Sequence, residues 1–321
     1  MEKNAIGIDI GGTSIKIGIV KQKGEILQKW EIPTDQNGTS TSIVDDICSS
    51  IEKKLDQYGW GFADVEGIGV GAPGFIDGET GFIYQAVNIA GWRDVDLKGL
   101  FKKRTGLPIS IENDANAAAL GENWAGAGNS ALNMAAITLG TGVGGGVIVN
   151  GKIVDGVNGT AGEIGHITID PDGHPCNCGR RGCLETIASA TGIARQAMEI
   201  VEKVPFSRLA DIFHKSNGIT AQDVFALAAE NDAESQRIID RTTDVLGRTL
   251  ASLAAVINPS CIVIGGGVSK ANDQLRVPLE QAFRKYALQR LAEVCEIKIA
   301  KLGNDAGLIG AASLVFNQNP H

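Results

Sequence analysis

The chain lacks an excess of positive charge. Its 321 residues carry 29 basic against 37 acidic side chains, a net charge of −8, and the sequence pI is near 5.1. A duplex-binding protein gathers lysine and arginine to neutralise phosphates, and no such stripe exists here, so nucleic acid is disfavoured and no nucleic-acid partner is expected. No apolar run approaches the roughly eighteen residues that a membrane-spanning helix needs, and no signal peptide opens the chain. A cytoplasmic protein with no membrane partner is therefore expected. No low-complexity linker divides the sequence. No Gly-Lys-Ser/Thr follows any glycine cluster, which removes the P-loop, and Gly11-Gly12 leads into a strand pattern instead of a helix, which removes the dinucleotide fingerprint.

What is present points to a globular α/β protein: 43% hydrophobic residues, 21% charged, and length enough for two domains. Three of the six cysteines fall in one short stretch, Cys176, Cys178 and Cys183, with His166 upstream. Three thiolates and an imidazole make a closed tetrahedral zinc site with no position left for water, so the metal would be structural. Gly179 and Gly182 punctuate the cluster as a tight knuckle requires. His174, two residues before Cys176, is a rival for the fourth position. Cys48, Cys261 and Cys295 stand in apolar contexts and read as buried thiols of a reducing compartment.

The glycines, 42 in all, are clustered. Ala5 to Ile10 and Ile15 to Val20 read as two strands around the turn Gly11-Gly12-Thr13-Ser14, with a third from Glu25 to Ile32. A second copy follows, Ala135 to Gly140 and Gly145 to Val149 around Thr141-Gly142-Val143-Gly144, with a third strand from Asn150 to Val154. A duplicated α/β unit is the expectation. Isoleucine at 43, 47 and 51 with Leu55 predicts an amphipathic helix. Residues 96–105, 115–124, 190–202, 220–230, 233–257, 272–288 and 306–316 also read as helices, with Asn113 or Asp114 capping the second of these. Cys261 to Ser269 is a buried strand entering a third glycine turn, and Glu296 to Ala300 is a further strand. Glycine turns after strands expose backbone N–H groups to anionic oxygens, a phosphate-handling theme.

Five segments are similar to the ROK family of sugar kinases and repressors: DIGGTSIK (Asp9 to Lys16), ENDANAAALGE (Glu112 to Glu122), LGTGVGGG (Leu139 to Gly146), GEIGH (Gly162 to His166) and CNCGRRGCLE (Cys176 to Glu185). GGGVS (Gly265 to Ser269) fits the family's adenosine loop. The likeness spans almost the entire chain and is nearest to the ATP-dependent glucokinases of bacilli. It implies an actin-like, hexokinase-like ATPase fold with two ribonuclease-H-like domains about a central cleft, expected at 1–112 plus 307–321 and at 113–306. The activity it implies is that of an ATP:hexose 6-phosphotransferase.

On the same resemblance Asp114 is the catalytic base, and the sugar contacts are Asn88, Asn113, Asp114, Glu163, His166 and Glu185. The nucleotide contacts are Asp9, Gly11, Gly12, Thr13, Lys16, Thr141, Gly142, Gly266 and Gly267. His166, Cys176, Cys178 and Cys183 hold zinc, with one ring nitrogen of His166 on the metal and the other free for a sugar hydroxyl. Magnesium would accompany ATP, oriented by Asp9, with Asp305 as a further acidic contributor. An aspartate opening a helix often serves only as its cap, which is the plain rival reading of Asp114. Kinases for N-acetylmannosamine, N-acetylglucosamine or fructose share these polar contacts, and polyphosphate is a conceivable donor. A sugar-sensing repressor is disfavoured because the first core strand starts by Asn4. Family analogy alone points to a homodimer or higher homo-oligomer.

Overall fold

The structure is a computed structural model that describes residues 3–35, 37–86, 89 and 91–316. It divides into two compact units: Met1–Ser130 with Gly146–Gly162 and Lys301–His321, and Ala131–Gly145 with Glu163–Ala300. In the first unit, β1 (Asn4–Ile10), β2 (Ser14–Lys21), β3 (Ile26–Pro33) and β4 (Ile68–Ala72) precede a small antiparallel sheet of β5 (Phe75–Asp77), β6 (Phe82–Gln85) and β7 (Arg93–Asp96), after which comes β8 (Ile109–Asn113). The main sheet has the order β3-β2-β1-β4-β8. β1 to β3 form an antiparallel meander, and β4 and β8 run parallel to β1.

Alternation explains the meander. Ile6, Ile8 and Ile10 on β1 and Ile15, Ile17 and Ile19 on β2 are buried against Ile43, Ile47, Ile51 and Leu55 of the helix Ser40–Asp56. Each of these side chains contributes on the order of 1.5–3 kcal/mol of burial. Thr39 caps that helix by accepting from Ser42 N–H, and the lysines in its last turn sit where cations favour the helix dipole.

The opposite face of the sheet explains why glycine interrupts β1 and β4. A side chain on Gly69 would place its Cβ 1.7 Å from the carbonyl oxygen of Ala311, in the terminal helix Ala306–Phe316. At Gly310 of that helix a Cβ would lie 1.7 Å from the carbonyl oxygen of Ala117, in the helix Asp114–Ala125. Backbone seated directly on backbone therefore binds helix 114–125, helix 306–316 and the first sheet into one body. This differs from the division expected at residues 112/113. The contacts responsible join segments far apart in sequence, and they place helix 114–125 in the first unit.

The second five-stranded sheet contains β9 (Met134–Leu139), β10 (Val143–Val149), β11 (Lys152–Ile153), β12 (Cys261–Gly265) and β13 (Glu296–Ile299), in the order β11-β10-β9-β12-β13. β12 runs parallel to both β9 and β13. Counting strands by order of appearance within each main sheet, both read three-two-one-four-five, so the duplication expected from the glycine hairpins is present in the topology. The helices Ala190–Lys203, Ala221–Ala229, Ala233–Ile257 and Asp273–Tyr286 belong to the second unit and match the periodic segments of the sequence. Strand β4, the sheet β5-β6-β7 and the helix Arg208–Ser216 carried no sequence expectation. Cys48, Cys261 and Cys295 are buried free thiols, as expected. Among the described residues no helix is long and apolar enough to cross a membrane.

Gly69→Ala is expected to lose roughly 2–4 kcal/mol of stability, because a rigid backbone carbonyl occupies the new methyl's place. Gly61→Ala, where a Cβ meets nothing within 4 Å, is the control. Urea unfolding midpoints compare them, and equal midpoints would show that the terminal helix is not seated on this strand.

Candidate functional site

In an open α/β sheet, ligands collect beyond the carboxyl ends of the parallel strands. In the first unit Asp9 of β1 pairs with Gly71 of β4, which pairs with Glu112 of β8. The next residues of β8 are Asn113 and Asp114, and a Cβ on Gly71 would lie 3.8 Å from Asp114 Cα. Asp9, the turn Gly11-Gly12-Thr13 and the start of helix 114–125 therefore share one end of the sheet. The first turn is closed by Gly11 N–H donating to the Ser14 carbonyl, 3.0 Å, while Thr34 Oγ1 donates to the Gly11 carbonyl, 2.7 Å. Lys16 Nζ lies 3.4 Å from Asp9 Oδ2. Burial pushes the Asp9 carboxyl above its ordinary range, and Lys16 pulls it back. Asp305, expected beside the nucleotide, is engaged with Lys29, whose Nζ is 2.6 Å from its Oδ2.

The capping question is settled by geometry. Asn113 is the N-cap: its Oδ1 accepts from Ala115 N–H, 2.9 Å, and Asn116 N–H, 3.2 Å, while its Nδ2 donates to the Gly74 carbonyl, 3.1 Å. Asp114 is the first helical residue, and its Oδ1 accepts from Ala115 N–H, 2.9 Å. Its carboxylate is thus held at the positive end of a twelve-residue helix without being the cap.

Beneath these two residues is a carboxyl pair that no sequence motif announced. Glu112 is buried, and its Oε1 accepts from Asn113 N–H, 2.7 Å, and from Asn116 Nδ2, 3.0 Å. Asn116 Nδ2 also reaches Asp155 Oδ1, 3.3 Å. Burial and the adjacent Asp155 carboxylate push Glu112 up to about 7, against the two hydrogen bonds it accepts. Asp155 is likewise raised, chiefly by burial, with Asp77 adding to the effect. Glu112 opens the ENDANAAALGE segment, but the resemblance assigns no role to it there, and Asp155 had no signal. Asn88 lies outside the described residues.

In the second unit the cysteine segment folds as a knuckle. Cys176 N–H donates to the Arg180 carbonyl, Gly182 N–H to the His174 carbonyl and Leu184 N–H to the Ile167 carbonyl, at 2.8, 2.8 and 2.9 Å. Gly179 and Gly182 have φ of 86° and 65°, the left-handed conformation that their place in the sequence called for. The ligand atoms of His166, Cys176, Cys178 and Cys183 all lie within 4.8 Å of one another. A tetrahedral zinc with Zn–S of about 2.3 Å and Zn–N of about 2.0 Å sets sulfurs roughly 3.8 Å apart, and sulfur roughly 3.6 Å from nitrogen. Cys178 and Cys183 sulfurs are 3.6 Å apart, and Cys176 Sγ is 3.6 Å from His166 Nδ1. The residues fit the metal.

The three thiols sit in different surroundings. Burial pushes the Cys176 thiol up to about 12 and raises that of Cys183. Burial also works against the Cys178 thiolate, but hydrogen bonds from Arg180 backbone and side chain outweigh it and bring Cys178 down to about 6. Metal binding requires all three sulfurs as thiolates, so binding here would release protons. The rival ligand His174 turns elsewhere, with its Nε2 2.9 Å from Glu199 Oε1. With Nδ1 of His166 facing the thiols, Nε2 lies 3.9 Å from Glu163 Oε2. Glu185 sends Oε2 to Val143 N–H, 3.0 Å, and Oε1 toward Cys176 Sγ, 3.5 Å. The turns at Thr141-Gly142 and Gly266-Gly267 follow β9 and β12, and a Cβ on Gly266 would lie 2.4 Å from the Leu139 carbonyl, so the Gly266 turn is seated on the end of β9.

A sequence profile of the ROK family matches residues 5–318. The chain belongs to the ROK family. Curated relatives of this ROK chain include the glucokinase of Halalkalibacterium halodurans, 53% identical over 98% of this chain and 95% of that protein. The glucokinase of Thermotoga maritima is 36% identical, covering 97% and 96%. Among solved structures, a ROK family glucokinase from Streptomyces griseus in complex with glucose and AMPPNP aligns with a TM-score of 0.78 at 36% identity, covering 97% of this chain and 98% of that one. The α/β architecture is thus that of the hexokinase-like, actin-fold ATPases.

The raised Glu112 carboxyl gives a pH test of the ROK site. A carboxyl that holds its proton more tightly when folded makes the folded state bind more protons than the unfolded one, so stability falls as pH rises between its ordinary 4.5 and about 7. Glu112→Gln is expected to lose less stability than the wild type across that window, read as melting temperature against pH. Parallel curves would remove Glu112 from this description.

Proposed function

We propose that this chain is an ATP-dependent glucokinase, which transfers the γ-phosphoryl group of ATP to the 6-hydroxyl of glucose. The observation that carries this reading is the 53% identity along 98% of the chain to the Halalkalibacterium halodurans glucokinase. The geometry agrees with it: in each unit the glycine turns and carboxylates gather beyond the carboxyl ends of parallel strands.

We assign Asp114 as the general base. In phosphoryl transfer the sugar hydroxyl oxygen forms its bond to the γ-phosphorus as the bond to the β,γ-bridging oxygen breaks; ADP leaves and the hydroxyl proton goes to Asp114 Oδ. The seat at a helix N-terminus places the acceptor oxygen where negative charge is favoured. Sugar recognition falls to Asn113 and Asp114 in the first unit and to Glu163, His166 and Glu185 in the second, with Asn88 as a further family-matched contact. Asn113 can spare only one amide hydrogen, since capping and Gly74 occupy the rest of its side chain.

The nucleotide contacts in this reading are Asp9, Gly11, Gly12, Thr13 and Lys16 in the first unit, and Thr141, Gly142, Gly266 and Gly267 in the second. Asp9 would orient the magnesium that accompanies ATP through a bridging water. Magnesium, when bound with ATP, neutralises charge on the phosphates. The knuckle metal is zinc, held by His166, Cys176, Cys178 and Cys183 with no open coordination position, and it is structural.

Asp114→Asn is expected to lower kcat by about 10²–10⁴-fold, measured in a coupled ADP assay, with glucose affinity by calorimetry close to wild type. Near-normal turnover would remove Asp114 from the base role. In the same assay, glucose should give the highest kcat/KM in a panel with mannose, fructose, N-acetylmannosamine and N-acetylglucosamine. An N-acetylated sugar outranking glucose would replace the assignment.

A further inference from the structure

The glycine turn after β9 is held by one short stretch of chain. Ala190 N–H donates to the Gly140 carbonyl, 2.8 Å, and Thr191 Oγ1 to the Thr141 carbonyl, 2.9 Å. Within the turn Gly140 N–H donates to the Gly142 carbonyl, 2.9 Å. The remaining hold is of another kind. Val143 N–H donates to a carboxylate oxygen, Glu185 Oε2, at 3.0 Å. A Cβ on Gly142 would come within 2.4 Å of that same oxygen, so the turn is moulded around it.

Glu185 is in turn fixed by the knuckle. It follows Cys183 by two residues and opens the helix Glu185–Ala188, its second carboxylate oxygen is 3.5 Å from Cys176 Sγ, and Leu184 N–H between them donates to the Ile167 carbonyl, 2.9 Å. Val143 is also gripped from its other side. Gly165, next to the ligand His166, sits so close that a Cβ would lie 2.0 Å from the Val143 carbonyl oxygen. Both backbone groups of one turn residue are thus set by segments that the four metal ligands tie together.

We propose that Glu185 is a positioning residue for the phosphate donor, transmitting the shape of the metal knuckle to the glycine turn Gly140–Val143 through its bond to Val143 N–H. This rests on the kinase reading of the turn and extends it. The knuckle then serves the nucleotide as well as the sugar. A hydrogen bond to a charged acceptor is worth enough that its loss should weaken phosphate binding on the order of tenfold.

The test is calorimetric titration with Mg·AMPPNP in the absence of sugar, with zinc content measured for every protein. Glu185→Ala should bind AMPPNP on the order of tenfold more weakly, while Glu185→Gln, whose amide oxygen still accepts from Val143, should stay within about twofold of wild type. Glu202→Gln, an exposed carboxylate of the helix Ala190–Lys203 away from the turn, should bind AMPPNP as the wild type does. Unchanged AMPPNP affinity in a zinc-replete Glu185→Ala would overturn the proposal. Should that variant lose zinc or fail to fold, hydrogen exchange on the wild type decides. Stripping zinc should speed exchange in residues 140–145 together with 174–184, while 4–10 stays protected, and an unaltered 140–145 segment would overturn the link. Wild type that binds no AMPPNP would sink the kinase reading instead, leaving the exchange experiment to judge the link.

Discussion

Four donor atoms, one imidazole nitrogen and three sulfurs, have been brought within 4.8 Å of one another in a segment with little apolar surface of its own. Cys178 is exposed, and the arginines, glycines and aspartates around it cannot build a core. The order of this segment is therefore borrowed from the ligand set, and whatever adjoins the ligands inherits it. His166 is followed closely by the bond that Leu184 makes to Ile167, Cys183 by Glu185, and Glu185 by the turn at Val143. A metal bound here does no chemistry in the proposed reaction. In the proposed reading it holds the backbone and side chains assigned to substrate binding.

The first unit meets the same need for rigidity by a different route. Helix 114–125 carries the proposed base, and it is locked by backbone contact with Gly310 of helix 306–316, a helix whose Ala311 carbonyl is in turn seated on Gly69 of β4. The buried Glu122 reinforces this arrangement by accepting from Ala127, Lys301 and Leu302 N–H, at 2.9, 3.1 and 2.7 Å. A carboxylate with three backbone donors is well compensated for its burial. Close packing at glycine leaves helix 114–125 little freedom to shift, which suits a residue that must accept a proton at a defined place.

Local patterns were legible and distant contacts were not. The hairpin around Gly11-Gly12, its copy around Thr141-Gly142, the isoleucine period of helix 40–56 and the cysteine spacing each lie within a short window, and the structure holds them with shifts of one or two residues. Strand β4 escaped notice because its sequence, IGVGA, spends two of five residues on glycine. Those glycines are the ones the terminal helix and helix 114–125 approach, a reason invisible without the fold. The strands β5 to β7 are three or four residues long, too short to show a period. The unit boundary and the Glu112–Asp155 pair depend on segments brought together from far along the chain, so no window contains them. In the functional site, the ligand set could be read from residue types and the family resemblance, His166 over His174 included, and the structure brings His166 together with the three cysteines.

X-ray absorption at the zinc edge on protein purified without added metal tests the account most directly. The account predicts one zinc per chain with three sulfurs at about 2.3 Å, one nitrogen at about 2.0 Å and no oxygen neighbour. Metal-free protein that folds and phosphorylates glucose normally, or a zinc carrying a bound water, would contradict it.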